Sequence, residues 1–251
     1  MDLYTEAVRI VLEAGKQLIE RKGIENVMEK GITDYVTDVD VRVQKVICQK
    51  LLQLDPSIQF VGEEKDNQEI DWDKKLWILD PVDGTTNLMH DFHHSVISLA
   101  YAEKREIQFG VVYNPYSGEV FEARLGKGAF LNQQPIRVSG RQKIGQCLIS
   151  MGTAPGHREC ADETFKKMRK VYDKCQDIRR IGTAALELAY VACGRLDAFF
   201  EERLKIWDYA AGLLLVREAG GIAEASEQRV IASTPAVMDC FKEVVEGRDF
   251  L

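Results

Sequence analysis

Apolar positions near the start recur at Val8, Val11, Leu12, Gly15, Leu18 and Ile19, the three-and-four spacing of one amphipathic helix that Gly23 would stop. Val43, Val46, Ile47, Leu51 and Leu54 repeat that spacing behind "TDVD". Asp55-Pro56 ends this second helix, because a proline pushes the residue before it out of the α region. Two long helices are therefore expected before any sheet. From residue 58 the period shortens, and strands are expected near 59–61, 76–79, 95–102, 107–113 and 119–124. "NPYSG" at 114–118 has the composition of a hairpin turn, so this middle part reads as a mostly antiparallel meander. Beyond residue 145 the pattern is mixed. A strand is expected near 147–151, helices near 162–175 and 183–193, and a buried strand at "LDAFFE". The helix of "WDYAAGLLLVREAGG" is capped by Gly220-Gly221, and a closing helix begins behind Ser233, Thr234 and Pro235.

The chain has 251 residues, 45% of them hydrophobic, enough to bury a sizeable core. No repeat, low-complexity run or linker composition divides it. The reading is a single domain over 1–251, mixed α/β, with an α+β lobe over about 1–140 packed tightly on an α/β lobe over about 141–251. A net charge of −7 lacks the basic footprint of a nucleic-acid binder, so a small soluble substrate is expected and nucleic acid is not, as primary ligand. No apolar run approaches the roughly 20 residues of a membrane span. With acids rather than basic residues in "MDLYTEAVRI", a cytoplasmic protein with no membrane partner is expected. The six cysteines form no CxxC pair and read as buried or idle thiols, and His90, His93 and His94 as structural or surface groups.

Carboxylates stand at structurally awkward places in "TDYVTDVD" (Asp34, Asp38, Asp40), "VGEE" (Glu63, Glu64), "LDPVDG" (Asp80, Asp83) and "IWDYAAG" (Asp208). Each alone reads more readily as a helix cap than as a ligand. Together they read otherwise, because strand ends in a mixed α/β fold converge on one edge where ligands bind. Two carboxylates about 5 Å apart at an effective dielectric of about 20 repel by about 3 kcal/mol, so such a cluster needs a cation. Pro81 favours a turn that aims Asp80, Asp83 and the Val82 carbonyl at one point, an all-oxygen site suited to Mg²⁺ or Mn²⁺ and not to zinc. The amides of Gly84 and Thr85 follow at a helix start, where unpaired N–H groups bind phosphate. The chain has no GxxxxGK[ST] loop and no G-x-S-x-G elbow, which leaves water as the nucleophile, with Thr85 and Asp40 as candidates to orient and deprotonate it.

"GEE", "DPVDGTTN" and "WDYAAG…EAGG", in this order and at these separations, resemble the inositol monophosphatase family almost from end to end. The resemblance implies an α-β-α-β-α layered sandwich of the sugar phosphatase type. It also implies a Mg²⁺-dependent, lithium-sensitive phosphomonoesterase, commonly a homodimer, and the likeness is greatest to bacterial members. It places a first metal on Glu63, Asp80 and the Val82 carbonyl, a second on Asp80, Asp83 and Asp208, and a looser third near Glu63. Asp40 and Thr85 fall on the pair that activates water. Substrate contacts fall on the Val82–Thr85 backbone (Val82, Asp83, Gly84, Thr85), on Gly182, Thr183 and Ala184, on Glu201 facing a sugar or inositol hydroxyl, and on Asp208 beside the leaving group.

Departures from the family pattern bear on substrate. Thr153 stands where many relatives have serine, few residues separate Gly221 from "VIAS", and the short "MEKGITD" loop presents Lys30 as a substrate or metal-loop contact. The expected reaction is hydrolysis of myo-inositol 1-phosphate or a similar polyol phosphate. Fructose 1,6-bisphosphate, histidinol phosphate, 3′-phosphoadenosine 5′-phosphate and NADP are the alternatives, and Arg179 and Arg180 are candidates for a second phosphate. A non-catalytic regulatory protein on the same fold is the alternative of a different class, which loss of a ligand acid would favour; none is lost here.

Overall fold

The computed structural model describes residues 2–31 and 34–247, leaving out the side chains of Lys30 and Asp34, so the expectations placed on those two groups lie outside the described residues. The opening stripe forms two helices rather than one, α1 (Leu3–Ala14) and α2 (Lys16–Glu20). They part at Gly15, where a Cβ would run into the Tyr113 ring, and Arg21 ends α2 at φ 50°. Ile19 falls outside the stripe and is 54% exposed. A hairpin then intervenes before the next helix, β1 (Val27–Gly31) against β2 (Asp34–Thr37). The sequence reading missed it for a physical reason. Val27 and Met28 are exposed, so no buried face imposes a period of two. Helix α3 (Asp38–Leu54) follows as expected, started by a capping box between Thr37 and Asp40.

The larger sheet contains β3 (Gln59–Gly62), β4 (Leu76–Asp83), β5 (Val96–Glu103), β6 (Glu106–Asn114), β7 (Glu119–Arg124), β8 (Gly128–Leu131) and β9 (Gln134–Pro135), in that spatial order. β3 runs parallel to β4 and every other neighbouring pair is antiparallel, so the meander is observed with two further short strands at its far edge. β4 is buried throughout and continues past the expected end at Leu79 to Asp83. Pro81 is accommodated because the pairing with β5 slips between Asp80 and Asp83, a bulge that relieves the proline of a ladder bond. The short helix α4 (Thr85–Met89) leaves this strand end through Gly84.

The smaller sheet has the order β11-β10-β12-β14-β13, with β10 (Leu148–Met151), β11 (Asp177–Arg179), β12 (Ala198–Glu202), β13 (Ile222–Ala225) and β14 (Arg229–Ser233). β10 is parallel to both neighbours, while β14 is antiparallel to β12 and β13. The few residues between Gly221 and "VIAS" therefore form a tight β13–β14 hairpin. The helices of this half are α5 (Ala161–Tyr172), α6 (Ala184–Ala192), α7 (Ile206–Glu218) and α8 (Met238–Glu246), the last preceded by a 3₁₀ turn at Pro235–Val237.

Five layers result, as the family resemblance implied. α1 and α3 cover the outer face of the larger sheet through Ile10, Val43, Ile47, Trp77 and Phe109. α6 and α7 fill the space between the two sheets, and Leu186, Leu188, Leu214 and Leu215 pack there with Val112, Phe121 and Phe199. Being covered on both sides, these two helices are apolar around nearly their whole circumference. α5 and α8 close the far face of the smaller sheet through Met168, Val171, Phe241 and Val244.

The middle layer approaches the larger sheet most closely at Gly110 of β6, where a Cβ would lie 2.9 Å from Ala211 Cα of α7. Backbone cannot yield as a flexible side chain does. Gly110→Val is expected to cost roughly 1–3 kcal/mol of stability by overpacking, read from the urea midpoint of the purified variant.

Candidate active site

Of the acids singled out in the sequence, Asp40, Glu63, Asp80, Asp83 and Asp208 come from four elements and gather at one edge of this stack, whereas Asp38 turns away and accepts the Asn26 side-chain N–H at 2.6 Å. Asp40 lies in the first turn of α3, fully buried. Its Oδ2 accepts the Thr37 backbone N–H at 2.9 Å and the Thr37 hydroxyl at 2.5 Å. Its Oδ1 lies 2.9 Å from the Thr85 hydroxyl, which is also 3.1 Å from the Val82 carbonyl. A hydroxyl has one hydrogen, so Thr85 donates to one of these acceptors at a time and keeps lone pairs for another donor. Burial holds the Asp40 carboxyl above its ordinary range, and the bonds from Thr37 and Thr85 oppose it. Thr37 was not foreseen as part of this group. Its signal was available, since "TDVD" carries a threonine three residues before an acid at a helix start.

The end of β4 supplies the next two acids. Asp80 is 2% exposed and accepts the Val82 N–H at 3.0 Å, which turns the chain after Pro81. Asp83 accepts the Ala185 N–H at 2.6 Å, tying the strand end to the first turn of α6. Asp208 opens α7 and accepts the Lys205 N–H at 2.6 Å. Burial, followed by the charges of Glu63, Asp83 and Asp208, raises the Asp80 carboxyl well above its ordinary range. Asp83 rises well above that range too, from burial and then Asp208. Burial also lifts Asp208 to about 8 despite the Lys205 bond, with Glu63 and Glu201 adding to it. These groups thus feel one another's charge from β4, α7 and the Glu63 turn after β3.

A hard divalent cation fits this donor set by its chemistry, because carboxylates and a carbonyl gathered out of water and repelling one another are complementary to positive charge. Among the described residues, no three His, Cys, Asp or Glu side chains close on one point as a finished cage. Their relation here is electrostatic neighbourhood.

Gly84 has φ 90°, and a Cβ there would meet Thr183 Oγ1 at 2.5 Å, so this position needs glycine on two counts. Asn87 then stitches the two substrate segments of the expectation together, donating to the Ile181 carbonyl at 3.0 Å and to Thr183 Oγ1 at 2.9 Å. The Thr183 hydroxyl in turn donates to the His94 carbonyl. His94 therefore serves this region through its backbone.

Glu187 was also unforeseen. It is 1% exposed, and its carboxylate accepts the Ile181 N–H at 2.9 Å, the Thr183 N–H at 3.3 Å and the Ser150 hydroxyl, which fixes the loop from Ile181 to Ala184. Its place inside "AALELAY" gave the pattern of a polar position on a helix and nothing more.

An open cleft of about 550 Å³ runs over this edge, lined by Tyr35, Glu63, Gly84, Thr85, Thr153 and Gly182 among others. Asp80, Asp83 and Glu201 lie beneath it, each less than a tenth exposed. Glu201 sits under the segment from Gly152 to Ala154, accepting the Ala154 N–H at 3.3 Å, and a Cβ on Gly152 would collide with its carboxylate. Burial, then Glu187, lifts Glu201 to about 7.

A five-layered stack with a buried acid cluster beneath an open cleft at the end of a bulged strand defines a class of small-molecule phosphatases. The chain belongs to the inositol monophosphatase family, whose model matches residues 1–240. An inositol-1-monophosphatase of Rhizobium meliloti is 40% identical over 228 residues, covering 90% of this chain and 86% of that protein. A protein of Xylella fastidiosa named Nus factor SuhB is 42% identical over 199 residues, 78% of this chain and 70% of that one. Among solved structures, the Thermotoga maritima IMPase superposes with a TM-score of 0.90 at 34% identity, over 98% of this chain and 97% of that one. The family acts on small phosphorylated substrates and is generally metal-dependent. Relatives named Nus factor SuhB lend no support to the expectation that nucleic acid is not a ligand. No helix of the described residues is long and apolar enough to cross a membrane.

Proposed function

We propose that this protein hydrolyses a small phosphate monoester, myo-inositol 1-phosphate or a similar polyol phosphate, with Mg²⁺ as the ion and Mn²⁺ as a substitute. The observation that carries the reading is the mutually repelling set of buried Asp80 and Asp83 with partly buried Asp208, beside a hydroxyl–carboxylate pair, Thr85 and Asp40. Glu63, Asp80 and the Val82 carbonyl would hold one ion, Asp80, Asp83 and Asp208 a second, and a third would lie near Glu63. When bound, such ions polarise a phosphoryl oxygen and acidify water. Gly84, Thr85, Gly182, Thr183 and Ala184 are the substrate contacts, with Glu187 and Asn87 holding their two loops in register. Asp40 orients the Thr85 hydroxyl, and together they position the attacking water and accept its proton. Asp208 lies beside the leaving oxygen. Glu201, lifted to about 7, is the carboxyl that would hydrogen-bond a polyol hydroxyl. We place the protein in the bacterial cytoplasm as a lithium-sensitive homodimer of one domain, on the family likeness alone.

Purified protein assayed with inositol 1-phosphate and magnesium tests the reading, and turnover unchanged by EDTA would sink it. Thr85→Val keeps the shape and removes the hydroxyl, and is expected to slow turnover roughly a hundredfold with a normal melting temperature. A near-normal rate would remove Thr85 from the water-activating pair.

A further inference from the structure

β3 is an edge strand of the larger sheet, so the backbone groups on its outer side have no strand to pair with. Gln59 and Glu63 face β4, donating to the Lys75 and Leu79 carbonyls at 3.0 and 3.3 Å. Because successive residues of a strand alternate, Phe60, Gly62 and Glu64 present their backbone groups outward. Side chains take these up instead. The Lys65 ammonium donates to the Phe60 carbonyl at 3.0 Å. Asn67 makes the two bonds a further strand would make, its Oδ1 accepting the Gly62 N–H at 3.2 Å and its Nδ2 donating to the Gly62 carbonyl at 2.8 Å. The same Nδ2 reaches the Lys65 carbonyl at 3.0 Å. On the other flank, the Glu64 N–H donates to Gln44 Oε1 of α3 at 3.1 Å.

The turn bearing Glu63 is thus gripped on both flanks, by Asn67 at residue 62 and by Gln44 at residue 64. The fit is close. Gln44 is buried, and a Cβ on Gly62 would lie 2.4 Å from its Oε1, so glycine at 62 gives that amide its place. Glu63 lines the cleft, and neither Gln44 nor Asn67 does. A turn in this position needs holding, because the charges of Asp80 and Asp208 push against that of Glu63. An untethered turn would relieve the repulsion by swinging Glu63 into water. An arginine or lysine would hold it by pairing with the acids, and would then compete with a cation for them. Amides bonded to backbone hold the turn and leave the charge of its carboxylate as it is.

We infer that Asn67 and Gln44 are positioning residues of the metal centre: acting through the Glu63 turn, they set the affinity for the divalent cation that Glu63 helps to hold and take no part in the chemical step. This rests on the metal-dependent phosphatase reading above and adds to it what governs occupancy of the ion. Holding the carboxylate in place beforehand removes the ordering cost that a loose turn would bear on each binding event.

Calorimetric titration of the purified protein with magnesium chloride, without substrate, reads that affinity directly. Asn67→Ala is expected to weaken magnesium binding roughly tenfold or more, as removal of a group that orients a metal ligand does, and Gln44→Ala to act in the same direction. In steady-state kinetics the magnesium concentration giving half the maximal rate should rise by the same factor, while kcat at saturating magnesium stays within about twofold of wild type. The Glu63→Gln background separates positioning from mere support of the fold. With that carboxylate gone, adding Asn67→Ala should weaken magnesium binding no further. Wild-type affinity in both single variants overturns the inference, as does an equal further loss in the Glu63→Gln background or a kcat that excess magnesium does not restore. Should one variant fail to fold, the other carries the same test, since each releases a different flank of the turn. Wild-type protein that binds no magnesium also overturns it. Protein that shows the expected binding pattern and hydrolyses no phosphomonoester sinks the phosphatase reading alone, and the positioning role stands.

Discussion

Asp83→Asn is expected to cut turnover roughly a thousandfold or more, an activation cost of about 4 kcal/mol, which is what losing an ion's charge stabilisation at phosphorus amounts to. The same substitution should raise the melting temperature of metal-free protein at neutral pH. The two effects share one cause. Asp83 is buried beside Asp208, and both circumstances penalise its ionised form. Its structural task is to accept the Ala185 N–H, which an asparagine Oδ1 performs equally well. Asparagine therefore keeps the link between β4 and α6 and removes the buried charge that holding a cation requires. Steady-state kinetics with saturating magnesium and thermal melts in EDTA read the two quantities separately. A rate within a few-fold of wild type would show that Asp83 is no ligand. A large fall in the metal-free melting temperature would instead assign it a purely structural role.

What the sequence made legible depended on whether a residue's task left a periodic or local trace. α3 was readable from end to end because one face is buried against α1 and the sheet, while Thr37 and Pro56 mark its limits. The meander was readable for the same reason, since buried strands with turn residues between them alternate visibly. The β1–β2 hairpin was not, because its side chains face water and nothing forces a pattern on them. Asp80 and Asp83 stood out since two acids ending an apolar strand have no packing explanation. Glu187 and Arg158 did not, because an acid inside a helix and an arginine in a turn are ordinary until the fold puts one under a loop and the other over a cleft. Arg179 and Arg180 were alike in sequence, and only the end of β11 separates their directions.

The metal-free protein is expected to lose stability as pH rises, and magnesium to abolish that loss. Asp80, Asp83 and Asp208 all have folded-state carboxyls held above the unfolded value of 3.8, the last at about 8. Between those two values the folded state binds more protons than the unfolded one, so the free energy of unfolding falls with pH across the window from about 4 to about 8. Surface carboxylates such as Asp73, Glu119 and Asp177 are shifted the other way by their arginine partners. Their stabilisation is lost only as pH drops below their ordinary values of 3.8 and 4.5, so it does not offset the decline above. A bound divalent cation favours the ionised carboxylates, releases their protons and turns the same buried charges into a source of stability, most strongly at the high end of the window. Melting curves across this range in EDTA and in excess magnesium chloride should therefore diverge as pH increases, while turnover vanishes in EDTA and returns with the metal. A metal-free melting temperature that climbs steadily through the window would mean that these acids do not repel one another in the folded protein, and the site would have no electrostatic need for an ion.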